Sequence, residues 1–100
     1  MAKVKVELPA PLCRLTGAPP VVSLEVVRPV TQRTILDALE VAYPALKGNV
    51  REHKTGKRRA FLRFFACGED LSNASPDETV PDAVADGTEP YMIIGAIAGG

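Results

Sequence analysis

A chain of 100 residues with 46% in the hydrophobic set and zero formal charge can bury one core, roughly 60 to 70% of its unfolded surface, without disulfides or metal. No apolar run approaches the ~20 residues of a membrane-spanning helix, and the opening Met1-Ala-Lys-Val-Lys-Val-Glu7 alternates charge with valine where a secretory signal needs an unbroken apolar stretch. A cytoplasmic protein is expected, with Cys13 and Cys67, which lack Cys-x-x-Cys spacing, as free thiols.

In chain order, Lys3 to Leu8 places Val4, Val6 and Leu8 on one side and Lys3, Lys5 and Glu7 on the other, the period of a strand with one wet face. Pro9 and Pro11 should stop it, and a turn-rich connection with Thr16-Gly17 and Pro19-Pro20 leads to the β-branched run Val21–Val27. These two runs read as an antiparallel hairpin. Thr31 or Thr34 can cap a helix over roughly Gln32 to Tyr43, whose Ile35, Leu39, Ala42 and Leu46 form a core-facing stripe widened by Leu36 and Tyr43. Pro44 ends it, because the residue before a proline is pushed out of helical dihedrals.

Lys47 to Arg59 reads as a loop, with room for a short strand. Ala60-Phe-Leu-Arg-Phe-Phe-Ala66 reads as a buried strand whose aromatics supply much of the core, bounded by Gly68-Glu-Asp70. Ser72 to Pro90 is expected to be mostly loop with one helical turn, and Tyr91 to Ile97 closes the sheet. The order strand, strand, helix, strand, strand predicts an α+β fold in one domain over residues 1–100: a mixed four- to five-stranded sheet with one main helix on one face.

Charge is unevenly distributed. Lys47 to Arg63 holds seven basic residues against Glu52, a net +6, and Glu69 to Glu89 holds seven acids and no base, a net −7. Such a dipole can steer an oriented partner, and Asp82, Asp86 and Glu89 are candidate contacts; two solvated loops that attract each other are the plainer reading. Catalysis by the chain alone is not expected. His53 sits in a basic loop without a spaced acid or cysteine, and Cys67 follows an aromatic strand that would bury its thiol in part and leave it inert. No phosphate loop, metal-spaced cluster or hydrolase elbow is present. Lys54-Thr-Gly-Lys-Arg-Arg59 with Phe61, Phe64 and Phe65 fits a loop and core strand better than a nucleic-acid platform, and the acidic segment would repel phosphates.

The last strand is followed by Ala98-Gly99-Gly100, and two residues without Cβ atoms can thread a channel little wider than backbone. Residues 98–100 are expected to form a flexible tail. From Gly95 to Gly100 an extended segment reaches roughly 20 Å at about 3.3 Å per residue, enough to enter a neighbouring protein. Ile97, an isolated apolar residue between alanines, can anchor in a partner or pack on the core.

Three stretches, Thr34-Ile-Leu-Asp-Ala-Leu-Glu-Val-Ala-Tyr-Pro-Ala-Leu46, Phe64-Phe-Ala-Cys-Gly-Glu-Asp-Leu71 and Asp86 to Gly100, resemble the helix, the strand-turn and the final strand with its glycine tail in the MoaD/ThiS family of ubiquitin-like, β-grasp sulfur carriers. Two departures stand out: Ala66 and Cys67 replace a common turn asparagine, and the acidic loop is longer than in compact members. The resemblance implies a β-grasp fold and a carrier that is not itself an enzyme. It implies that a ubiquitin-activating-type adenylyltransferase uses Mg-ATP to adenylate the Gly100 carboxylate, that sulfur then forms a thiocarboxylate, and that a synthase accepts it, in a complex of the molybdopterin-synthase or thiamine-pathway kind. The chain itself would bind no cofactor or metal, no nucleic acid and no membrane. A ubiquitin-like modifier joined through Gly100 to lysines and a passive β-grasp interaction domain share the same sequence features.

Overall fold

The computed structural model describes residues 1–52 and 54–95. Alternating small apolar and charged residues build β1 (Ala2–Glu7), which buries Ala2, Val4 and Val6 and turns Lys3 and Lys5 to solvent. It pairs antiparallel with β2 (Val21–Val26), Lys5 opposite Ser23, which realises the expected hairpin.

The connection differs from the expected turns, because it holds a helix, α1 (Ala10–Thr16). Pro9 is its N-cap and Pro11 lies in its first turn, where the amide that proline lacks would have had no helical partner anyway. Gly17 closes it in the left-handed conformation (φ 75°), its amide donating to Cys13 O at 2.8 Å.

Helix α2 (Gln32–Ala42) starts at Thr31, whose hydroxyl accepts from the Thr34 amide while the Thr34 hydroxyl accepts from the Thr31 amide. Ile35, Leu36 and Leu39 are buried, each worth about 1.5 to 3 kcal/mol relative to exposure. Ala42 corrects the predicted stripe: it is exposed at the last helical position, and a 3₁₀ turn at Pro44–Leu46 redirects the chain so that Leu46 reaches the core. Tyr43, the C-cap, is half-buried against it.

The basic loop that follows is pinned by fully buried Val50 and an antiparallel bridge between Arg51 and Arg58. Strand β3 (Leu62–Ala66) begins later than expected and buries Leu62, Phe64 and Ala66. The alternating pleat therefore sends Phe61 outward, 70% exposed, and leaves Phe65 half-buried, so one of the three aromatics serves the core. Cys67 (φ 53°) and Gly68 (φ 79°) form a two-residue turn into β4 (Glu69–Asp70), of the kind that asparagine-glycine usually builds. The Cys67 thiol is exposed, contrary to the partial burial expected of it.

After β4 the chain returns to α2 through a bridge between Thr31 and Thr79 and forms α3 (Asp82–Ala85), which buries Val84 and packs on β1. Gly87 (φ 83°) approaches so closely that a Cβ there would lie 2.9 Å from Lys3 O. Strand β5 (Tyr91–Gly95) then enters the middle of the sheet, in the order β2-β1-β5-β3-β4, parallel to β1 and antiparallel to β3. The result is the mixed, five-stranded α+β architecture expected from the sequence.

Candidate functional site

Tyr91 fixes the start of β5. Its side chain is fully buried, its ring tilted 40° to that of Phe64 with centroids 5.7 Å apart, and its hydroxyl donates to Gln32 Oε1. The Gln32 amide nitrogen donates in turn to Leu71 O at 3.0 Å, so this buried polar chain is satisfied from end to end. Burial pushes the phenol far above its ordinary range and keeps it a donor at neutral pH.

The strand finishes in different surroundings. Ile94 pairs with Arg63 and Gly95 with Leu62, and Ile94 is 37% exposed. Beside Leu62 lies a shallow cavity of about 310 Å³, walled by Pro9, Pro11 and Leu12 from the start of α1 and by Arg59 and Phe61 from the approach to β3. Arg59 Nε donates to Gly48 O at 2.7 Å, and among the described residues no carboxylate pairs with it. Beside Leu62, the register partner of Gly95, there is thus an apolar rim carrying one oriented cation. Such a rim suits a partner surface with an apolar patch and a carboxylate.

Ile97, Ala98, Gly99 and Gly100 lie outside the described residues, as does His53. Asp82 opens α3, and Asp86 and Glu89 belong to the turn after it. Hydrogen bonding from Thr88, whose amide donates to Asp86 Oδ1 at 2.8 Å, holds the Asp86 carboxyl below its usual range. The turn precedes Tyr91, so these three acids sit where β5 begins, about five residues of strand, or ~16 Å, from the exit at Gly95. The structure does not bring them together with that exit. Arg33 with Asp77 (2.6 Å) and Arg63 with Asp70 (2.6 Å) show that part of the acidic segment is spent on arginines of this chain.

Sequence reasoning missed Phe61, Arg59 and the two prolines of the rim. The signal for Phe61 was present: with Leu62, Phe64 and Ala66 inward, residue 61 must face out. Gln32 had no such signal, since its partners are 39 and 59 residues away. Among the described residues no three metal-ligating side chains converge, both cysteines are free, and no helix is long and apolar enough to cross a membrane.

No family model and no curated protein matches the chain. Solved structures do. Small archaeal modifier protein 1 of Haloferax volcanii is 25% identical, with 97% of this chain and 100% of that chain covered and a TM-score of 0.77. The small archaeal modifier protein 1 of Methanosarcina acetivorans is 26% identical over 100% of this chain and 98% of that one, at a TM-score of 0.74. A chain of the Amycolatopsis orientalis BexX/CysO complex is 24% identical over 97% and 99%, at 0.72. By fold the chain belongs with the ubiquitin-like β-grasp proteins, as its resemblance to the MoaD/ThiS carriers implied.

Proposed function

We propose that this protein is a ubiquitin-like carrier: one β-grasp domain that offers its C-terminal glycines to partner enzymes in the cytoplasm and catalyses nothing itself. The observation that carries the reading is the position of β5. The strand that leads into Gly99-Gly100 is the buried centre of the sheet, and it finishes beside an open apolar rim. The names of the similar proteins support the kind of function, a modifier in two cases and a component of a two-protein complex in the third.

In this reading the Gly100 carboxylate, ionised at neutral pH because its pKa lies near 3.5, is a poor electrophile until activated. A ubiquitin-activating-type adenylyltransferase with Mg-ATP as its substrate joins AMP to it and releases pyrophosphate. Sulfide then displaces AMP to leave a thiocarboxylate, or a persulfide displaces AMP to leave an acyl disulfide, from which a second thiol frees the thiocarboxylate by forming a disulfide with the donor sulfur. A synthase then takes the sulfur. The chain supplies reach, slenderness and recognition; Ile97 and Ala98 lie within the part a partner would grip.

The test is incubation of the full chain with a candidate activating enzyme, Mg-ATP and a sulfur donor, following intact mass. Sulfur should replace one oxygen at the terminus, and deletion of Gly100 should abolish the change while thermal unfolding stays the same. Sulfur loaded onto the truncated chain would sink the proposal. The word modifier in the names of two similar proteins favours a second reading, conjugation through Gly100 to lysines, which lysine-linked adducts in cell extract would reveal.

A further inference from the structure

A second concavity, of about 420 Å³, shares no lining residue with the rim at the exit of β5. It lies between the first turn of α2, the basic loop around Thr55-Gly56 and the loop after β4. Leu36 and Phe64 form an apolar floor, Ala74 and Pro76 continue it up one side, and no described Asp or Glu lines it.

Four cations reach this space, and they are not equivalent. Arg33 is held by Asp77 through two contacts of 2.6 and 3.1 Å, and Arg51 by Asp37 and Glu40 at 2.8 and 3.0 Å. Arg58 is held by neutral oxygens: its guanidinium donates to Leu62 O at 2.6 Å, to Ser72 O and Arg59 O at 3.4 Å, and to Asn73 Oδ1 at 3.5 Å. Those contacts fix its direction without cancelling its charge. A guanidinium has five N–H donors, so these four contacts leave at least one for a ligand. Lys57, exposed on the same wall, joins no ion pair among the described residues. A charge that is oriented but uncompensated above an apolar floor is the arrangement that selects an anion with a hydrophobic body.

We propose that this cleft binds a small amphipathic anion, a phosphate or carboxylate on an apolar or aromatic body, with the charged end at Arg58 and Lys57 and the body against Leu36 and Phe64. The site shares no residue with the rim beside Leu62 and does not depend on the carrier reading.

Phenyl phosphate is the probe, titrated into the full-length, isotope-labelled chain while backbone amide resonances are followed. Saturable shifts should centre on Leu36, Phe64 and Ala74, and added salt should weaken them. Benzoate in place of phenyl phosphate distinguishes a carboxylate from a phosphate preference. Inorganic phosphate and benzyl alcohol, which carry only one half of the recognised chemistry each, should bind at least about tenfold more weakly. Arg58→Gln should weaken phenyl phosphate about tenfold or more. Because Arg58 also ties loops together, Lys57→Gln, which removes an exposed side chain, is the companion variant and should weaken binding several-fold with the amide spectrum otherwise preserved. Shifts that do not saturate at millimolar probe, that centre elsewhere, or that are unchanged in Lys57→Gln would overturn the proposal. Benzyl alcohol or inorganic phosphate binding as tightly as phenyl phosphate would overturn it equally.

Discussion

The two ends of β5 are built for opposite purposes. At its start, Tyr91 is sealed against Phe64 and hydrogen-bonded to Gln32, and the preceding turn is pressed onto β1 at Gly87. Near its finish Ile94 is partly exposed, and Phe61, next to Gly95's partner Leu62, is open to solvent on a rim with two prolines. Burial is concentrated at one end of a five-residue strand and, in the proposed carrier, recognition falls at the other, so each should be alterable with little effect on the other.

The strongest way to break that separation is Tyr91→Ala, which should cost about 3 to 5 kcal/mol in denaturant unfolding, the range for removing a buried aromatic ring. A cost near zero would mean that the first end is not the anchor. Gly87→Ala comes next. Its positive φ and the 2.9 Å approach to Lys3 O should make even a methyl group cost about 1 to 3 kcal/mol, visible as a lower melting temperature. At the open end Phe61→Ala should change stability by less than about 0.5 kcal/mol, since its ring is mostly in water already. The same substitution should slow thiocarboxylate loading if the activating enzyme grips the exit rim. If instead neutralising Asp82, Asp86 and Glu89 slows loading and flattens its salt dependence while Phe61→Ala does not, the partner grips the acidic end.

The smallest effect is in acid. Hydrogen bonds from Ser72, then from Arg63, hold the Asp70 carboxyl down to about 2, from an ordinary value of 3.8. A depressed folded-state pKa stabilises the fold above the ordinary value, and that contribution is lost as pH falls from about 4 through 2. Asp70→Asn should flatten the stability profile across that window and slightly lower its plateau at neutral pH, where the carboxylate's contribution is fully present.

Much of this architecture was legible because its causes are local. The Thr31 and Thr34 cap, the Ile35-Leu39 spacing and the valine alternation of β1 each act within a few residues. Helix α1 was hidden because its signals have two meanings: Pro9 and Pro11 stop a strand, but the same rings suit the first turn of a helix, and Thr16-Gly17 is a helix end as readily as a turn. Ala60 to Ala66 read as uniformly buried because three phenylalanines outweighed the two-residue period that divides them between faces. The outward face of Phe61 was legible from the strand period, but the rim as an assembly was not, since Pro9, Gly48 and Phe61 meet only through tertiary packing. The amide chain from Tyr91 through Gln32 to Leu71 is invisible for the same reason.

The parallel pairing of β1 with β5 joins the first strand of the sheet to the last. Until residues 91–95 are in place, β1 and β3 each expose a row of unpaired amides and carbonyls in what should be the middle of the molecule, a template for unwanted association. The chain therefore cannot proofread its fold in instalments. A nascent or clipped copy lacking that segment would be a sticky half-sheet, open to disposal, and any copy whose tail emerges from a properly seated β5 has by that fact certified the rest of its body.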